Sequence, residues 1–121
     1  MELKMLPYDF TVCKPADFRK ADLKAEFCFF ARTDQELSLV CRTEETPADT
    51  VERSDGWRAF RIQGVLDFSL IGILAKISGI LAENGIGIFA MSTFNTDYIL
   101  VKAEAFGRAM ALLADAGYTV S

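Results

Sequence analysis

The sequence predicts an α+β protein made of two β-α-β-β-α-β units packed together, with antiparallel sheets and helices on one face, the first unit degenerate. Three observations point there. The chain repeats itself, its second half alternates strand-like and helix-like apolar periods, and its 121 residues suit one domain or two very small ones. A unit of 50–60 residues buries only about 60% of its unfolded surface, so two such units are expected to share a core or a sheet.

The repeat is read from two offsets. Residues 8–18 lie over 58–68 at an offset of 50, and both segments end in Asp-Phe. Residues 33–40 lie over the region of 95–101 with Glu36 on Asp97, and Asp55-Gly56-Trp57 lies over Ala116-Gly117-Tyr118, both at an offset of 61. The jump implies that the first half lacks 61 − 50 = 11 residues where the second half carries its best helix. Domains are accordingly drawn at 1–56 and 57–121.

The second half carries the clearer pattern. Residues 57–63 alternate large and polar side chains, as a half-buried strand does. Leu70, Ile73, Leu74, Ile77, Ile80 and Leu81 recur at helical spacing and form one apolar stripe. Asp67 or Ser69 is expected to cap that helix, and Asn84-Gly85 to stop it. Strands follow over 86–92 and 98–102, around a turn at Phe94-Asn95-Thr96-Asp97. A second helix is expected over about 104–116, facing the core with Phe106, Met110 and Leu113, then a strand over 118–120. This order is the ferredoxin-like split unit.

In the first half a strand is expected near 9–14, an irregular or single-turn segment over 16–24, and a hairpin pairing 27–32 with 37–42. A poor helix near 47–53 follows, with Pro47 in its first turn. Cys13, Cys28 and Cys41 are odd in number and contain no CxxC. They read as buried free thiols of a reducing, cytoplasmic compartment.

Composition narrows the function. A net charge of −4 argues against a nucleic-acid partner, which needs a basic stripe. The most apolar region, 64–91, is interrupted by Asp67, Lys76, Glu83 and Asn84, so it is not a membrane span. The N-terminus lacks the apolar core of a signal peptide. The chain has no histidine, no lysine beside a plausible nucleophile and no phosphate-loop glycine spacing. No catalytic residue, metal site or cofactor is therefore assigned, and the protein is not expected to be an enzyme.

The remaining chemistry lies in two segments. Where a strand's carboxyl end feeds a helix, the first N–H groups lack intrahelical partners and favour a carboxylate. Here that loop is Asp67, Phe68, Ser69, Leu70, Ile71 and Gly72. Gly72 either admits a close approach by a ligand or chain, or lets the helix pack tightly on the sheet. Asp67 is either a helix cap or a ligand contact. In the turn Thr93, Phe94, Asn95, Thr96 and Asp97, the aspartate either bonds locally or meets an ammonium or guanidinium group. An amide-lined loop beside a lone carboxylate suits a zwitterion such as an amino acid.

These residues, 64–74 and 88–101 above all, resemble the ACT domain family. Within it they are similar to small bacterial proteins of two ACT-like modules and to the tandem modules of arginine sensors and aspartate kinase regulatory regions. The resemblance implies regulatory binding of a free amino acid at an interface between modules, without turnover. It implies that the ligand carboxylate meets the amides of residues 67–72 and that Asp97 faces an amino or basic group, with the backbone of 93–96 nearby. It further implies a homodimer and a separate regulated protein. The equivalent place in the first module, near Asp17 and Glu36, is expected not to function. The alternative is a ligand-free dimerisation or protein-interaction module of the same fold.

Overall fold

The computed structural model describes residues 1–67 and 69–121. The chain divides into a larger unit, Met1–Pro7 with Arg58–Ser121, and a smaller unit, Tyr8–Trp57. Two long strands, β1 (Glu2–Pro15) and β4 (Thr50–Ile62), contribute residues to both.

In the larger unit, α1 (Ile73–Glu83) leads to the hairpin β5 (Phe89–Ser92) and β6 (Asp97–Lys102). Then come α2 (Ala103–Asp115) and β7 (Thr119–Val120). The strands lie in the order β5-β6-β4-β1-β7. β5 and β6 are antiparallel, whereas β7 pairs parallel to β1, Glu2 with Thr119 and Leu3 with Val120. The expected all-antiparallel pairing is thus broken at one edge. Both helices pack on the face presented by Leu3, Phe60, Ile62, Ile99 and Val101, with Ile77 and Leu81 from α1 and Ala109 and Leu113 from α2. Those nine side chains are fully buried, each 0% exposed. The period of two in β4 and β6 and the helical spacing in α1 and α2 are therefore the sequence's own core signal.

α1 begins later than its apolar stripe implies. Leu70 is 52% exposed and lies outside the helix. Neither Asp67 nor Ser69 caps it; the N-cap is Gly72, at φ 80°, with no side-chain cap. A left-handed residue immediately before the first turn is the conformation that glycine adopts without strain. Among the described residues nothing lies within 4 Å of a Cβ placed at Gly72, so tight packing on the sheet is not what it provides. The C-terminus ends as expected. Gly85, at φ 73°, donates its N–H to the Ala82 carbonyl, and Ile86 donates to the Leu81 carbonyl, closing the helix.

The smaller unit orders its strands β2 (Phe29–Arg32), β3 (Leu37–Arg42), β1, β4. β3 runs into a single 3₁₀ turn, Thr43–Glu45, where β6 runs into α2. Both strand-to-helix junctions have the same backbone geometry: Arg42 sits at φ −59°, ψ 141° and Lys102 at φ −59°, ψ 142°. The helix expected at 47–53 is absent; β4 already begins at Thr50. Pro47 explains the difference. The residue before a proline is driven from helical to extended backbone, and Thr46 is extended at φ −66°, ψ 126°.

The hairpins also correct the repeat. Thr33 N–H donates to the Glu36 carbonyl as Thr93 N–H donates to the Thr96 carbonyl, so the true offset there is 60. Glu36 therefore corresponds to Thr96, and the counterpart of Asp97 is Leu37. The three cysteines, distant in sequence, meet in one apolar cluster: Cys13, Leu39 and Cys41, flanked by Cys28, Phe18 and Ala21.

Candidate functional site

The loop after β4 and the β5–β6 turn are bonded to each other. Leu66 donates its N–H to the Asn95 carbonyl at 2.7 Å. Beneath them Thr96, 7% exposed, donates its hydroxyl to the Ile62 carbonyl at 2.7 Å. Thr93 closes the turn, donating both its N–H, at 2.8 Å, and its hydroxyl, at 3.0 Å, to the Thr96 carbonyl. The result is an open hollow of about 220 Å³ lined by Leu66, Asp67, Leu70, Ser92 and residues 93–97.

Asp97 opens β6 rather than belonging to the turn. It stands opposite Ser92. Because Thr93 and Thr96 form the hydrogen-bonded pair, the Ser92–Asp97 pair is the close, non-hydrogen-bonded kind. Ser92 accordingly donates its hydroxyl to Asp97 Oδ1. Asp67 folds on its own loop: Ser69 N–H donates to its carboxylate at 2.8 Å, and Leu70 N–H donates to its carbonyl at 3.0 Å. The Ser69 amide, with help from the Ser69 side chain, holds the Asp67 carboxyl below its usual range.

Of the residues singled out in the sequence, Asp67, Leu70, Thr93, Phe94, Asn95, Thr96 and Asp97 line this hollow. Ser69 does not. Ile71 and Gly72 line another hollow, of about 340 Å³, with Met1, Ile73, Lys76, Ala116, Gly117 and Tyr118. Phe68 lies outside the described residues. Two loop amides expected to receive a carboxylate, those of Ser69 and Leu70, are engaged by Asp67. Sequence reasoning missed Leu66 and Ser92. Strand pairing about the 93–96 turn puts Ser92 opposite Asp97, and that signal was available in the sequence.

The charged residues among the described lining are Asp67 and Asp97, both acidic. The apolar rim is open: Phe94 is 78% exposed and Leu70 52%. Two acidic side chains make this place electrostatically more favourable to a cationic group than to an anion. No group of histidine, cysteine and acidic residues able to hold a metal occurs among the described residues, and no described helix is long and apolar enough to cross a membrane.

The larger unit is a small α+β unit with two helices on one sheet face and a hollow between a loop and a hairpin. The chain belongs to the ACT domain family, whose model matches residues 52–115. It is 34% identical over 94 residues to the human cytosolic arginine sensor for mTORC1 subunit 1, which covers 72% of this chain and 29% of that protein. The chain thus spans under a third of such curated relatives. A crystal structure of an Agobacterium tumefaciens protein matches it at 35% identity and a TM-score of 0.87, covering 99% of this chain and 91% of that one. The ligand-free regulatory subunit of aspartate kinase from Thermus thermophilus shares the fold, with a TM-score of 0.64 at 12% identity over 97% and 98% of the two chains.

Proposed function

We propose that this ACT protein binds a free amino acid in the hollow between the loop at 66–70 and the hairpin at 92–97, and that it regulates another protein without catalysing a reaction. The observation that carries this reading is the Leu66–Asn95 hydrogen bond, which joins the two segments beside Asp67 and Asp97. Two carboxylates favour a ligand with a cationic side chain in addition to its α-ammonium. The arginine sensor among the relatives supports testing arginine first. The ligand carboxylate meets the loop at the Leu70 amide, taking the place of the Asp67 carbonyl, since Ser69, Ile71 and Gly72 do not line this hollow. Residues 57–121 are the binding module and 1–56 a degenerate copy in a two-module ferredoxin-like arrangement. A homodimer covers the exposed Leu70 and Phe94, in the cytoplasm.

A thermal-shift screen of the twenty amino acids tests this. A ligand at 100 times its Kd adds about 2.7 kcal/mol to stability. The basic amino acids are expected to give the largest shift, and Asp97→Ala to abolish it while leaving the fold intact. A screen without any shift favours the ligand-free interaction module. An Asp97→Ala variant responding like the parent removes Asp97 from the site.

A further inference from the structure

The three cysteines are a second chemistry-bearing cluster, none of them among the residues that line the proposed ligand hollow and all of them in the smaller unit. Their register separates them. In the β2–β3 ladder Phe29 pairs with Val40, Phe30 with Leu39, Ala31 with Ser38 and Arg32 with Leu37. The ladder ends at Phe29; continued one step beyond the end of β2, its register would set Cys28 opposite Cys41, and Cys28 packs against the cluster that holds Cys41. Thr33 and Glu36 are bonded through the backbone at the turn. Alternation continued that far would make Cys28–Cys41 a non-hydrogen-bonded pair, with Cα atoms about 4.5 Å apart. That separation falls within the roughly 4.4–6.8 Å range that a disulfide spans. Cys13 instead pairs with Leu39 across β1–β3, which leaves it diagonal to Cys41 at about 7–8 Å, too far to bridge without backbone movement.

We propose that Cys28 and Cys41 form a cross-strand dithiol that a small-molecule disulfide converts into an intramolecular disulfide joining β3 to the segment leading into β2, with Cys13 excluded. Cys28 is half-buried and open to the reagent, whereas Cys41 is 3% exposed. The Cys28 thiolate attacks one sulfur of oxidised glutathione and releases the first glutathione thiolate. The Cys41 thiolate then attacks the Cys28 sulfur of the mixed disulfide and releases the second. The protein loses two protons and two electrons; one oxidised glutathione becomes two reduced ones. For the second step Cys41 Sγ turns from Thr46 Oγ1, now 3.8 Å away, toward Cys28. Burial raises both thiols above their ordinary range, Cys41 adding to the rise at Cys28, so the exchange is slow at neutral pH.

The test incubates the full chain with oxidised glutathione, counts thiols after unfolding, and maps the non-reduced tryptic peptides. Trypsin places the three cysteines in separate peptides, 5–19, 25–32 and 33–42. The expected result is a fall from three free thiols to one, a chain mass lower by about 2 Da, and a link between 25–32 and 33–42. Cys13→Ser is expected to leave the link in place. Cys28→Ser, a change at a half-buried position whose fold is checked by circular dichroism, is expected to prevent it. A link through peptide 5–19, a link between two chains, or glutathione retained on Cys28 with Cys41 free overturns the proposal.

Discussion

The tie between Thr96 and the end of β4 supports the floor of the candidate site, and Thr96→Val isolates it. Valine replaces the hydroxyl by a methyl group of nearly the same volume, so no cavity opens. What is lost is the 2.7 Å hydrogen bond to the Ile62 carbonyl. A buried neutral hydrogen bond contributes about 1 kcal/mol net, and an acceptor left unpaired away from water costs about 1–3 kcal/mol. Thr96 is 7% exposed, which places the expected loss at about 1–2 kcal/mol. Urea denaturation followed by circular dichroism would show a lower midpoint at unchanged slope, and Tm would fall by about 4 °C per kcal/mol for a chain of 121 residues. Thr93→Val is the control: Thr93 is exposed and its hydroxyl bonds to Thr96 only within the turn, so the change is expected to cost less, about 0.5–1 kcal/mol. A Thr96→Val protein as stable as the parent, or a Thr93→Val protein equally destabilised, would refute the idea that the hairpin is anchored through Thr96.

Gly72→Ala meets no neighbour within 4 Å among the described residues, so its expected cost is that of the left-handed backbone, about 1–2 kcal/mol, read as a lower urea midpoint. A neutral result would mean that α1 can begin in another conformation. Burial first, and Cys41 next, push the Cys13 thiol up to about 11. In the folded protein at pH 8 only about one Cys13 in a thousand is a thiolate, against about one in four for a free cysteine. Iodoacetamide is therefore expected to label Cys13 far more slowly than an unfolded control, and equal rates would contradict the buried placement. Because the folded value lies above the unfolded one, the contribution of Cys13 to stability is complete below about pH 8.5 and disappears as pH rises through about 11.

The second half was legible because its core residues obey one period per element. Phe106, Met110 and Leu113 pointed to α2, and Ile99 and Val101 to β6, since burial on one face is what imposes those spacings. The start of α1 is hidden for the same reason: Leu70 continues the helical spacing yet is exposed, and periodicity does not register a left-handed residue at Gly72. In the first half Pro47 suggests the start of a helix. It instead ends a helical turn that had opened at Thr43, because proline acts on the residue before it. The repeat slips by one residue between 61 and 60, and in strands a slip of one exchanges the faces. Glu36 was consequently set against Asp97 when Leu37 corresponds to it.

The sequence by itself determined the family, the order of elements in the second half and the two segments that border the candidate site, because these follow from local spacing and turn chemistry. Tertiary structure decided which of those residues meet. It joined Leu66 to Asn95, set Ser92 beside Asp97, turned Ile71 and Gly72 toward a different hollow, and gathered three scattered cysteines on one sheet face. Contacts of that kind depend on strand register and on where the backbone changes hand, which are fixed by packing between distant segments rather than by the residues of either one.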